Sequence, residues 1–220
     1  TYASPGGHEH RTHMYGTTTK TWQDSLAQSG VVSTDALKLP RSLIAIKRAQ
    51  SQTIDAALLE RWSGERAGFS PSQNGAMANT SADQAAKASG YPVSEVNKWQ
   101  WLHLIAFTLG GDIGNTANPN TRENLVAGLA AANGHHLVLE NLVKKAIITK
   151  KAKEIEITAA ATMDTNSYHV ATSIRYSIMA KDSAGKTVFL PEYRIDPLNP
   201  SKSAGGDLDI LWYQWSILMT

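Results

Sequence analysis

The sequence predicts an α+β fold, and three observations support this. An apolar, aromatic run from residue 99 to residue 109 is strand-like and ends at a glycine pair. A stretch rich in Leu, Ala and Val, from Glu123 to about Lys145, predicts a helix. Three strand candidates follow it. Strands on both sides of one helix are typical of an α+β domain.

The first ninety residues differ in character from the rest. Residues 1 to about 35 lack periodicity and predict irregular structure. The apolar positions from Arg41 to Trp62 fit one helix or two short ones. Residues 64–90 predict a loop that carries one polar helix around Ser81 to Ser89. We therefore expect an irregular and helical extension over residues 1–90 and a main domain over residues 91–220.

The strand candidates after the central helix are defined by composition and turns. Residues 155–162 alternate in part, and residues 170–179 are β-branched and aromatic. Residues 187–195 follow a Ser-Ala-Gly-Lys turn. The apolar tail from Asp209 to Met219 predicts a last strand or a packed terminal segment.

Composition excludes several kinds of chemistry. The chain of 220 residues contains no Cys, which excludes disulfides, a thiol nucleophile and a thiolate metal site. A metal would need His, carboxylate, amide or water ligands, as Mg²⁺-like ions or His-bound zinc do. The net charge of +2 permits a nucleic-acid partner without arguing for one. The lysines from Lys144 to Lys153 predict either a solvated helix end or a basic patch.

The start of the chain bears on localisation. It has no apolar segment of a classical signal peptide, and no apolar run approaches the roughly 18 residues that a membrane-spanning helix needs. Because the first residue is Thr1 rather than Met, we expect a processed product or a segment of a longer protein.

His103 is the first candidate catalytic residue. It lies in the strand-like run close to the glycine pair, where a loop could open to solvent. An imidazole there can act as a general base near neutral pH. The alternative is a core histidine that is hydrogen-bonded to a backbone carbonyl.

The central helix carries a polar stripe. Asn133, Glu140 and Lys144 are spaced by seven and four residues, so their side chains return to within about 20° of one face. An amide, a carboxylate and an ammonium group placed in this way suit a hydrated Mg²⁺ beside a phosphate. The alternative is the solvated face of an amphipathic helix. His136 lies beside Asn133, and Gly134 predicts the close approach of another backbone or of substrate.

The run His-Leu-Ile-x-x-x-Leu-Gly-Gly, then Asn-Leu-Val, then an Asn on a helix resembles the DNA/RNA non-specific endonuclease family. The resemblance covers about residues 99–197. It implies a ββα-metal (His-Me finger) core with an antiparallel sheet, in which His103 is the general base and Asn133 binds Mg²⁺, with Mn²⁺ as an alternative. It also implies that Asn124 supports the site, that Glu140 assists at the metal and that Lys144 assists at the scissile phosphate.

The chain departs from the family pattern just before His103. The family has Asp-Arg-Gly-His, whereas this chain has Gln100-Trp101-Leu102-His103, so the Arg near the substrate has no counterpart. Arg122 or the lysines, Lys145 among them, are candidates to replace it. The pair His135-His136 invites comparison with the Gly-His-His nucleases, but its mid-helix position fits them poorly.

The resemblance implies an endonuclease that either prefers DNA or cleaves both DNA and RNA. What is usual in this family further implies a bacterial toxin or effector, which is delivered by a secretion apparatus to the target-cell cytoplasm and neutralised by an immunity protein. Two alternatives stay open. One is a degenerate module that binds nucleic acid or protein without cutting, and the other is a hydrolase of small phosphodiesters.

Overall fold

A computed structural model of the chain describes residues 47–61, 71–110, 119–164, 167, 169–202 and 208–219. Six strands lie in this part of the chain: β1 (Lys47–Ile54), β2 (Trp99–His103), β3 (Leu125–Leu129), β4 (Ala152–Met163), β5 (Ala171–Asp182) and β6 (Thr187–Ile195). The helices there are α1 (Ala56–Arg61), α2 (Gln73–Ala76), α3 (Ala82–Ala88), α4 (Asn133–Ile148) and α5 (Leu208–Leu218). The predicted α+β class is confirmed.

The strands form two antiparallel sheets. One has four strands in the order β1-β4-β5-β6, and the other pairs β2 with β3. The three strands predicted after the central helix are confirmed as β4, β5 and β6. Their side chains alternate between buried and exposed positions along most of their length, as expected for a sheet with one covered face. Gly185, with a φ of 83°, lies in the predicted turn between β5 and β6.

The edge strand β1 corrects the prediction of helix over residues 41–62. Residues 47–54 pair with β4 along their whole length, and helix is confined to α1 in the described part of this stretch. Residues 41–46 and residue 62 lie outside the described residues. Arg48, Gln50 and Ile54 are the buried positions of β1. The buried face is therefore largely polar, so the strand has no apolar periodicity in the sequence. The boundary predicted near residue 90 stays a prediction.

Strand β3 corrects the predicted start of the central helix. Residues 125–129 pair with β2, from Leu125 opposite His103 to Leu129 opposite Trp99, and α4 begins only at Asn133. All five residues of β3 are buried. The burial of these five side chains in a strand paired with β2 outweighs the helix propensity of Leu and Ala. The chain thus runs strand, strand, helix through β2, β3 and α4.

Helix α4 covers the main sheet with one apolar face. Its buried side chains include Leu139, Leu142, Val143 and Ala146, which join the core formed with β4, β5 and β6. The terminal segment is the helix α5 rather than a strand, and it buries Trp215 against the same core. Much of α5 is exposed, so the tail packs through one face only.

The polar helix predicted around residues 81–89 is confirmed as α3. Ser81 and Gln84 form a capping box, which satisfies backbone groups at the start of the helix. The alanines of α3 pack against Trp99 and Trp101 of β2 in a second apolar cluster. Among the residues described, every helix is too short or too polar to cross a lipid bilayer.

Candidate active site

A cavity of about 570 Å³ lies between the end of β2 and the first two turns of α4. His103, Asn133 and Glu140 line it together, although 37 residues of sequence separate the first from the last. Gln73 and Asn74 of α2 line it from a third direction. The cavity lies within the range of volumes typical of ligand sites in proteins.

The imidazole of His103 is held in one tautomer. Asn120 donates from Nδ2 to the carbonyl of Pro71 at 3.0 Å, so its Oδ1 atom is the acceptor that lies 2.9 Å from His103 Nε2. His103 Nε2 must therefore carry a proton. In the neutral ring, Nδ1 then carries the lone pair.

The amide of Gln73 agrees with this assignment. Its Nε2 atom donates to the carbonyl of Trp101 at 3.3 Å and lies 3.5 Å from His103 Nδ1. A donor beside Nδ1 requires an acceptor there. The basic nitrogen of His103 thus faces Gln73, which itself lines the cavity. The contact is long, at 3.5 Å, so Nδ1 can exchange the Gln73 amide for a molecule bound in the cavity and accept its proton.

Asn124 is fully buried and holds the turn that follows His103. Its Oδ1 atom accepts from the backbone N–H of Ile105 at 2.9 Å, while Nδ2 donates to the carbonyls of Ile105 and Pro119 at 3.1 and 3.0 Å. Asn124 does not line the cavity. It is a positioning residue, because it fixes both the chain after His103 and the loop that brings Asn120 to the imidazole.

Strand β1 anchors the same loop through two side chains. Arg48 donates to the carbonyls of Arg122 and Leu125, both at 2.6 Å, and Gln50 donates to the carbonyl of Glu123 at 3.1 Å. Burial lowers the pKa of Arg48 to about 10, with a smaller opposing effect of Glu123. Arg48 therefore keeps its charge at neutral pH, and β1 supports the site although it lies outside the predicted domain.

Glu140 presents one carboxylate oxygen to the protein and keeps the other available. The Thr108 hydroxyl and Lys144 Nζ, the latter at 2.6 Å, both donate to Oε1. Oε2 makes no hydrogen bond with the described residues. Asn133, the first residue of α4, is exposed and likewise bonds to none of them through its side chain. These two oxygen donors suit the oxygen preference of Mg²⁺.

His136 lies between Asn133 and Glu140 on α4 and also lines the cavity. It is 8% exposed, and its Nδ1 atom lies 3.0 Å from the hydroxyl of Tyr176. Burial, followed by the charges of His103 and His135, lowers the pKa of His136 to about 3. The ring is therefore neutral at physiological pH.

The other predicted substrate-binding residues stand apart from the cavity. Lys144 is engaged by Glu140, and Lys145 lies over the ring of Trp212, with Nζ 4.9 Å from its centroid. The backbone carbonyl of Arg122 accepts a hydrogen bond from Arg48. None of the three lines the cavity, although all belong to the described part of the chain. Gly134 has open space around it, without the predicted close approach of another described segment.

Sequence reasoning missed three contributors: Gln73, Thr108 and Asn120. Asn120 lies four residues before Asn124 in a loop of Asn and Pro, which is a weak signal for a polar partner. Gln73 comes from a polar stretch without a recognisable motif. In the described ranges no three side chains of His, Cys, Asp or Glu cluster to hold a metal, so a site here needs the amide of Asn133.

Comparisons of the sequence with profiles of protein families and with curated proteins find no match.

Proposed function

We propose that this chain is a metal-dependent endonuclease that hydrolyses phosphodiester bonds of DNA, with RNA as a further substrate. One observation carries the proposal. The basic nitrogen of His103 has a fixed tautomer and lies at the same cavity as the oxygen donors Asn133 and Glu140. The order β2-β3-α4 supports assignment of these elements to a ββα-metal core, in agreement with the resemblance of the sequence.

The residues divide the chemistry between them. His103 Nδ1 takes the proton of the attacking water, while Asn120 keeps accepting from Nε2 and so holds the ring in place. Asn133 and Glu140 would hold Mg²⁺, which when bound supplies positive charge against the phosphate oxygens. Thr108 and Lys144 orient the carboxylate of Glu140 by donating to one of its oxygens.

Charge near the phosphate comes from few groups. Lys144 is 30% exposed and can offset phosphate charge next to the carboxylate it pairs with. Arg122 and Lys145 do not line the cavity, so they would contact only more distant parts of a polynucleotide. Since Trp101 occupies the position of the family arginine and is buried, the chain uses no guanidinium there. We therefore expect slower cleavage than the full family motif supports.

The biological setting is a further proposal. The resemblance supports a toxin or effector that is delivered into a target cell and neutralised by an immunity protein. If so, expression of the chain alone should stall the host and degrade its DNA. Harmless expression of an enzyme that is active in vitro would count against this setting and leave the nuclease proposal intact.

Cleavage of plasmid DNA and total RNA, with Mg²⁺ or with EDTA, tests the proposal. The variants His103→Ala and Asn133→Ala should lower the metal-dependent rate by at least about a hundredfold. His135→Ala and Asn141→Ala are matched controls, because both change the same residue types on α4 without touching the cavity lining. The controls should cleave at close to the unmodified rate.

Different outcomes favour the other candidates. Tight binding of nucleic acid without cleavage, even with Mn²⁺, would favour a degenerate binding module. Turnover of small phosphodiesters with intact DNA and RNA would favour a hydrolase of another class. Equal loss of activity in the control variants would contradict the assignment of His103 and Asn133.

A further inference from the structure

The hydrogen bonds of Tyr176 fix the tautomer of His136. The hydroxyl of Tyr176 lies 2.9 Å from the carbonyl oxygen of Leu104 and 3.0 Å from His136 Nδ1. A carbonyl oxygen can only accept, so the single hydroxyl proton is directed to Leu104. Burial raises the pKa of Tyr176 well above its ordinary value, with a smaller contribution of Tyr193, and the hydroxyl keeps this proton. His136 Nδ1 must therefore be the donor to Tyr176.

The remaining ring nitrogen, His136 Nε2, then carries a lone pair. This atom is buried and has no hydrogen-bond partner among the described residues. Buried polar atoms are rarely left unsatisfied, because each one costs about 1–3 kcal/mol. A neutral imidazole nitrogen without a partner, on a ring that lines a cavity, is a ready ligand for a metal ion.

His136 shares one helix face with the two oxygen donors of the site. It follows Asn133 by three residues and precedes Glu140 by four, so the three side chains project within about 60° of one another. Each offers a metal-ligating group without a protein partner in the described part of the chain: the amide of Asn133, Nε2 of His136 and Oε2 of Glu140. The other ring nitrogen of His136 is held by Tyr176, and the other carboxylate oxygen of Glu140 is held by Thr108 and Lys144.

We propose that His136 is a third ligand of this metal site, through Nε2, and that the site prefers Mn²⁺, Co²⁺ or Zn²⁺ to Mg²⁺. The inference deepens the proposed function and rests on its assignment of Asn133 and Glu140. Mg²⁺ is bound almost exclusively by oxygen ligands, whereas imidazole nitrogen suits transition-metal ions. The hydroxyl of Tyr176, hydrogen-bonded to Nδ1, orients the His136 ring, as the partners of metal-binding histidines generally do.

A water molecule is the alternative partner of His136 Nε2. A small cavity of about 10 Å³ adjoins His136, Glu140 and Tyr176, which is close to the least space that holds one water. A water there would satisfy Nε2 without any metal. The test must therefore observe the nitrogen itself.

The ¹⁵N resonances of the histidine rings in the complete chain report both tautomer and ligation. In EDTA, the His136 ring, identified by its contact with the ring of Tyr176, should show a protonated Nδ1 and an unprotonated Nε2. Zn²⁺ at stoichiometric concentration should shift the Nε2 resonance, and excess Mg²⁺ should not. A protonated Nε2 in EDTA, or an Nε2 resonance unmoved while calorimetry shows Zn²⁺ bound, would overturn the proposal.

Affinity measurements with a matched pair of variants give a second readout. His136→Gln should weaken Zn²⁺ and Co²⁺ binding by about tenfold or more while Mg²⁺ binding changes little. His135→Gln removes a neighbouring imidazole that does not line the cavity, and it should change neither affinity. Equal weakening by both variants would refute the assignment. Should His136→Gln fail to fold, the resonances of the unmodified chain still decide.

The two proposals can fail separately. Cleavage supported by Mg²⁺, with an Nε2 resonance that no metal moves, would refute the nitrogen ligand and leave the nuclease standing. A zinc-dependent shift of Nε2 in a chain that cuts no nucleic acid would support the ligand and refute the nuclease.

Discussion

The buried His136 should make the folded chain less stable in mild acid. Its ring is buried and neutral, and its pKa in the folded chain is about 3, against an ordinary value of 6.5. Above pH 6.5 both the folded and the unfolded chain hold a neutral ring, so the full stability is present. As the pH falls through 6.5 the unfolded chain binds a proton that the folded chain excludes, and the free energy of unfolding decreases until the pH reaches about 3.

The size of this effect follows from the two pKa values. Each pH unit below 6.5 costs about 1.4 kcal/mol, so His136 alone should lower the free energy of unfolding by about 2 kcal/mol between pH 7.5 and pH 5. Below pH 3 the loss should level off at roughly 5 kcal/mol. Since a domain of this kind has a total stability of about 5–15 kcal/mol, the effect is large enough to measure.

Urea denaturation at pH 7.5 and pH 5 in the presence of EDTA, for the unmodified chain and for His136→Gln, isolates the contribution. The glutamine does not titrate, so the variant should lose about 2 kcal/mol less than the unmodified chain over this interval. Other titrating groups contribute to both proteins and cancel in the difference. An identical pH dependence in the two proteins would refute the burial of a neutral His136.

Three further substitutions test contacts that surround the cavity, each by the same urea denaturation at pH 7.5. Tyr176→Phe removes a hydroxyl shared by a buried imidazole and a buried carbonyl, and should cost about 2–4 kcal/mol; a loss below about 0.5 kcal/mol would contradict the contact. Arg48→Met leaves two carbonyls of the site loop without their donor and should cost about 1–3 kcal/mol, whereas an unchanged stability would mean that water replaces the guanidinium. Gly128→Ala places a Cβ 2.5 Å from Leu102 Cδ1 and 2.8 Å from Pro197 Cβ and should cost about 1–3 kcal/mol, and a neutral effect would show that these side chains can shift to admit the methyl group.

Local sequence patterns predict those helices and strands whose own residues reflect which side chains are buried. Strands β4, β5 and β6 alternate in burial, and their composition and the turn before β6 predict them, while the polar composition around Ser81 predicts α3. Strand β1 was missed because Arg48 and Gln50 occupy its buried face, and their partners are carbonyls of a distant loop. Strand β3 was missed because its composition continues into α4 without a break.

The candidate site likewise contains residues that the sequence indicates and residues that only the fold brings into place. His103, Asn133 and Glu140 could be proposed from sequence, since each is a polar residue in an apolar segment of recognisable period. Asn120 and Gln73 could not, because their importance arises only when the fold brings a loop and a short helix to the imidazole. His136 Nε2 has no hydrogen-bond partner among the described residues, and its lone pair depends on where one proton of Tyr176 points, which no sequence pattern encodes.

The pairing of β1 with β4 also sets a time at which the site can form. The side chains of Ser51 and Thr158, opposite each other on these strands, are 107 residues apart in sequence. At a synthesis rate of about 5–20 residues per second, β1 waits roughly 5–20 seconds for its partner to be made. Contacts of such long range also slow folding itself. Because Arg48 of β1 holds the loop that brings Asn120 to His103, we expect the imidazole to reach its final setting among the last events in the maturation of each new chain.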